Sequence, residues 1–186
     1  MEADWEVEIG GDSPVIDAAW GDFVDLRRSP QLAFQLQETA ILPSLADALM
    51  RLNAVGSPVW TSKCDVWPVP DPEQLDPDEM DASGDLSTYA WACYIDLLPR
   101  SDQQWIIPEM AISWCKILVA RLRAISLSCC RVDIVIRTAM IVPNVSDIGL
   151  TAYLTACGSN TEEAKSVLQS ALENFAAIFF PDATVK

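Results

Sequence analysis

Six cysteines, no histidine and a run of carboxylates between Asp71 and Asp85 are the parts of this sequence whose residue types could do chemistry. The cysteines, Cys64, Cys93, Cys115, Cys129, Cys130 and Cys157, include no C-x-x-C pair. A tetrahedral zinc site would have to gather four thiolates without a local pair, so no metal is expected. Most of these cysteines stand inside apolar runs, where cysteine behaves as a small hydrophobe. Reduced, buried, inert thiols follow as the expectation. Cys129 and Cys130 could form a redox pair, but adjacent cysteines rarely bridge without strain. A serine or cysteine nucleophile would lack its usual histidine base. Ser113-x-x-Lys116 has the spacing of a serine acyl-transferase pair, but its companion motifs are absent and it falls in mid-helix. There is no phosphate-binding glycine loop, and no cofactor is expected. General acid–base work is left to carboxylates. Asp25 and Asp96 occupy matched places in two similar stretches, which argues for one structural job done twice.

Asp71, Glu73, Asp76, Asp78, Glu79, Asp81 and Asp85 are set among prolines, and the stretch reads as an extended, solvated loop. Taken as a calcium loop starting at Asp76, it has Met80 at the fifth position and Asp81 where glycine belongs, so the EF-hand pattern fails. These carboxylates are the expected landing site for a basic partner. Arg131 and Arg137 are the candidate ligand contacts. Arg137 alternates with apolar neighbours on a predicted strand, and a half-buried arginine needs an anionic counterpart, from the protein or from a ligand. Asn144-Val145-Ser146 has the form of a glycosylation sequon, which matters only in a secreted protein.

The chain has 186 residues, 51% of them apolar and 21% charged, as a single globular domain over 1–186 would. Its net charge of −15 is uneven. Residues 1–30 hold eight acids against Arg27 and Arg28; residues 65–85 hold eight acids and no base. Nucleic-acid binding needs basic patches, and none of note exists. Anionic lipid would repel such a surface. No apolar run reaches the roughly 18 to 20 residues of a membrane span. The acidic start lacks the pattern of a secretory signal, so a cytoplasmic protein is expected.

Apolar spacing predicts helices over 31–53, 108–125 and 160–179, the first interrupted at Pro43. Ser159 and Glu162 fit a capping box for the last. Alternation predicts strands over 59–67, 89–98, 131–142 and 150–157, with a weaker pair at 5–9 and 21–26. Two stretches match: Ala19-Trp20-Gly21-Asp22-Phe23-Val24-Asp25-Leu26 and Ala90-Trp91-Ala92-Cys93-Tyr94-Ile95-Asp96-Leu97, offset by 71 residues. Arg51-Leu52-Asn53-Ala54-Val55 and Arg121-Leu122-Arg123-Ala124-Ile125 match at an offset of 70. An internal duplication follows as the reading, with units 1–57, 58–128 and 129–180. The expected fold is α+β: three ββα units merging into one antiparallel sheet with helices on one face. The element order after residue 30, with the low pI, resembles that of type III secretion chaperones; no motif accompanies it and no residue role is carried over.

Such a sheet leaves its second face open, and Trp60, Trp67 and Trp91 are candidates to cover it. The functional expectation is a non-catalytic interaction protein, either a homodimer or an acidic binder of a basic partner. The alternative is a small-molecule-binding protein or enzyme with a pocket between sheet and helices.

Overall fold

The computed structural model describes residues 1–18, 23–72, 75–82, 89–100, 107–142 and 145–180. Six strands form one sheet: β1 (Glu2–Glu8), β2 (Ile16–Asp17), β3 (Val59–Pro68), β4 (Tyr89–Pro99), β5 (Cys130–Val142) and β6 (Val145–Gly158). The order is β1-β5-β6-β4-β3, and β2 also pairs with β5. The expectation of an antiparallel sheet is corrected here. β1 and β2 both run parallel to β5, so the sheet is mixed. The reason is non-local: β5 offers a free edge once it has paired with β6, and the N-terminal strand fills it.

The long helices are α2 (Pro43–Asn53), α3 (Pro108–Arg123) and α4 (Thr161–Ala177); a short α1 (Gln37–Ile41) precedes α2. The break before Pro43 is the interruption that proline imposes, because it has no N–H to donate. Pro108 and Pro43 both stand in first turns, where that donor is not needed. The cap of α4 is one residue later than the sequence suggested. Asn160 Oδ1 accepts from Glu163 N at 2.9 Å, and the Glu163 carboxylate reaches back to Ser159 N at 2.8 Å.

All three long helices cover one sheet face. Their buried stripes, including Leu45, Leu49, Leu118, Leu122, Leu168, Leu172 and Phe175, close over Cys93, Ile95, Leu97, Val132, Ile134, Ile136, Leu150 and Leu154. Alternation places these strand residues on one side and their neighbours on the other. No helix among the described residues is long and apolar enough to cross a membrane.

Of the matched stretches, the Arg-Leu-x-Ala pair lies at the C-termini of both α2 and α3. The other pair does not share a setting: Phe23 to Leu26 is not a strand, whereas Tyr94 to Leu97 is the middle of β4. Ala19 to Asp22 lie outside the described residues.

The acidic stretch after β3 is not simply solvated. Leu75, Met80 and Ala82 fold back and pack with Ala90, Cys129 and Cys157 at one end of the open sheet face. Met80 is only 2% exposed. The backbone of Cys129 donates to Asp81 O at 3.2 Å, and Ser128 Oγ donates to Asp81 Oδ2 at 3.0 Å. Met80→Ala should therefore lower unfolding free energy by about 2 kcal/mol or more. It should also speed proteolysis between β3 and β4. Urea denaturation and limited digestion check this; unchanged values would mean that the loop is not anchored by Met80.

Candidate functional site

The sheet face turned away from the helices is the candidate site. Its two ends are closed by the chain itself. At one end Met80 and its neighbours form the lid just described. At the other, Ile16, Ala18, Trp60, Leu98 and Ala139 make a second small apolar cluster, with Phe23 packed on it. Trp60 Nε1 donates to Pro99 O at 3.1 Å, and the Arg27 guanidinium lies 4.0 Å from its ring centroid. Gly149 sits under this cluster. A side chain there would meet Ile16 Cδ1 at 2.8 Å, so the close approach requires glycine or a shift of Ile16.

Between the two ends the floor is polar. Strand alternation sets Asp4, Glu6 and Glu8 of β1 beside Asp133, Val135 and Arg137 of β5 in parallel register. Arg137 binds Glu8 Oε2 through Nη2 at 2.7 Å and Nε at 3.0 Å. Its Nη1 donates to Tyr153 OH at 3.0 Å and to Thr151 Oγ1 at 3.3 Å. Thr151 Oγ1 in turn donates to Asp96 Oδ1 at 2.6 Å. One chain of polar contacts thus spans β1, β5, β6 and β4. The counterpart of Arg137 is a protein carboxylate.

Arg131 lies on the same face. It pairs with Asp133 at 2.8 Å and with Glu79 of the loop at 2.9 Å. Both candidate arginines therefore face away from the helices, not into a pocket between sheet and helices. A shallow cleft of about 570 Å³ runs between Asp4, Glu6, Glu8, Arg131, Arg137 and Tyr153. Aromatic rings continue across the floor: Trp67 to Tyr94 at 6.2 Å and Tyr94 to Tyr153 at 6.0 Å between centroids. Trp60 and Trp67 belong to this face, whereas Trp91 packs against the main core with Lys165 Nζ 4.2 Å from its ring.

The loop carboxylates take separate places. Asp76 and Glu79 border the open face, together with Arg131 and Asp133. Asp76 Oδ1 also accepts from Asp78 N at 2.9 Å, and Asp71 and Asp78 are exposed. Glu73 and Asp85 lie outside the described residues. Sequence reasoning missed Asp4, Glu6, Glu8 and Asp133 as site residues. Strict alternation of Glu2, Asp4, Glu6 and Glu8 with Ala3, Trp5 and Val7 was the available signal, since it puts every acid on one face.

Burial pushes the Asp96 carboxyl above the ordinary range, opposed by the Thr151 hydroxyl and by the charges of Arg137 and Lys63. Burial likewise raises Asp133, against its contact with Arg131. Asp25 is the opposite case: Arg27 binds it at 2.7 Å and holds it below the ordinary range. The two aspartates matched by sequence thus do different jobs. Burial pushes the thiols of Cys64, Cys93, Cys115, Cys130 and Cys157 up, so none is poised as a thiolate. Among the described residues no cluster of side chains could hold a metal ion.

No protein-family model, no curated protein and no solved structure matches this chain.

The raised Asp96 has a consequence for stability. Below the unfolded pKa of about 3.9 both states are protonated and no penalty exists. As pH rises from there through the raised folded value, the unfolded state ionises first and the fold loses stability. Asp96→Asn keeps an acceptor for Thr151 and removes that loss. Its stability relative to the parent should therefore be more favourable at about pH 7 than at about pH 3. Urea unfolding at the two pH values checks this; a pH-independent difference would contradict it.

Proposed function

We propose that this chain is a non-catalytic interaction protein that receives a basic, extended segment of a partner on the open face of its sheet. The observation that carries the reading is the composition of that face. Asp4, Glu6, Glu8, Asp65, Glu79 and Asp133 stand around Arg131, Arg137 and Lys63, beside the Trp67–Tyr94–Tyr153 row. Arg131 and Arg137 are already bound to carboxylates of the chain itself, so they neutralise part of the face without offering a cation to an anionic ligand. The remaining acids attract cations at long range. The aromatic faces add a second attraction for guanidinium or ammonium groups.

The docking site in this reading is the sheet floor, with Asp76 and Glu79 of the acidic loop at its border. A homodimer through this face is less well supported, because its apolar ends are already covered by Met80 and by Phe23. The thiols held up by burial and the lack of histidine support a binding role over a catalytic one.

The test uses a labelled peptide of alternating arginine and serine, with an alternating glutamate and serine peptide as control. Fluorescence anisotropy should show binding of the basic peptide at low salt, weakened about tenfold or more at about 0.3 M salt. Combined Asp4→Asn, Glu6→Gln and Asp65→Asn substitution should weaken it by a similar factor. Salt-independent binding, equal binding of the acidic control, or no binding of either would reject the reading.

A further inference from the structure

We infer that a cavity at the β3 edge is an anchor pocket for one arginine or lysine side chain of the partner's basic segment, an inference that rests on the reading above. The cavity holds about 290 Å³. Ligand cavities run from roughly 300 to 1,000 Å³. This one therefore suits a single long side chain and not a nucleotide-sized group.

Its form comes from a bulge in β3. Thr61 pairs with Leu97 and Cys64 with Ile95, so β3 carries one residue more than β4 over this stretch. On the helix side the bulge is fixed. Thr61 N donates to Asn53 Oδ1 at 3.1 Å, and Asn53 Nδ2 donates to Thr61 Oγ1 at 2.7 Å. The pocket thus has a rigid wall that exists before anything binds, which lowers the ordering cost of binding.

The lining has two parts. Leu26, Leu36 and Leu49 supply an apolar wall. Glu38 and Asp65 supply carboxylates, and Lys63 offsets part of their charge. A hydrocarbon stem ending in a cation matches that division, since such side chains bury the stem and keep the head among polar groups. Two groups in the wall support the sign of the field. The Cys64 thiol is pushed up to about 12, first by burial and then by Glu38, Asp65 and Asp96. The Tyr94 phenol is pushed up to about 12 by burial, with Asp96 and Asp65 adding to it. Burial disfavours charge of either sign, so only the smaller part that Glu38, Asp65 and Asp96 add bears on the sign of the field, and that part favours a cation over an anion. Asp65 and Tyr94 also belong to the open face, so a chain lying on the sheet floor can lower a side chain into the cavity without leaving it.

Butylguanidinium is the probe and butylurea, of the same shape without the charge, is the control. Methyl NMR signals of Leu26, Leu36 and Leu49 should shift saturably with butylguanidinium. Affinity should be about tenfold weaker for butylurea, and about tenfold weaker for butylguanidinium in Glu38→Gln. The arginine–serine peptide should displace the probe. Equal shifts from both compounds, or no saturable shift at these leucines, overturn the inference on the unaltered protein, whatever the folding of the variant. If the peptide binds the open face but neither displaces the probe nor responds to Glu38→Gln, the anchor is rejected and the docking face stands. If the probe binds here but the peptide binds nowhere, the cavity belongs to a free small cation, and both the anchor role and the docking face are rejected.

Discussion

Arg137 stands in mid-strand on a face that the rest of the sheet leaves uncovered, and its charge has to be met there. Glu8 meets it from a strand more than a hundred residues earlier, and Thr151 and Tyr153 meet it from the next strand of the hairpin. That requirement ties the parallel register of β1 to β5. A slip of one residue would turn Glu8 toward the helices and bring Val7 or Ile9 to the guanidinium. It also organises the floor. Thr151, held by Arg137, donates to the buried Asp96, so the contacts run without a gap from the β1 edge to β4. An ion pair of this kind adds little net stability over an apolar pair, but leaving one partner unpaired is costly. Its role here is to fix which residues face the cleft.

The acids of β1 then follow. Asp4 and Glu6 share the face with Glu8 because strand alternation allows nothing else; Glu8 is bound directly by Arg137, whereas Asp4 feels Arg131 only at longer range. The two arginines are bound within the chain, burial pushes up the thiols of Cys64, Cys93, Cys115, Cys130 and Cys157, and the exposed carboxylates remain. That composition is what supports the proposed reading, in which the face holds a cationic chain. The rows of Trp67, Tyr94 and Tyr153 sharpen the same preference, because the ring faces carry partial negative charge.

Much of the fold was legible in the sequence, for local reasons. The four-and-three spacing of Ala111, Cys115, Leu118 and Leu122 gave α3, and Pro43 marked the break between α1 and α2. The alternation of Tyr89 to Leu98 placed Tyr94 and Asp96 on the face opposite Cys93 and Ile95, as found. What was not legible depends on distance along the chain. Nothing local shows that β1 lies parallel to β5, since the register is set by Arg137 and by the free edge of the hairpin. The loop after β3 misled because proline and acids dominate its composition, while Leu75 and Met80 decide its placement. The acids of β1 were passed over for the same reason: the run of acids in the loop is conspicuous, and those of β1 share a face with Asp133 and Arg137 only once that strand is in the sheet.

The proposed function requires a basic chain to lie on the open sheet face. The most direct test is chemical-shift mapping with the arginine–serine peptide on the full chain at low salt. Shifts should concentrate at the backbone amides of Asp4, Glu6, Tyr94, Asp133 and Tyr153 and at the Trp67 indole, with the exposed side of α3 around Ile117 unchanged. Shifts concentrated on α3 or α4, with the sheet floor unchanged, would contradict it.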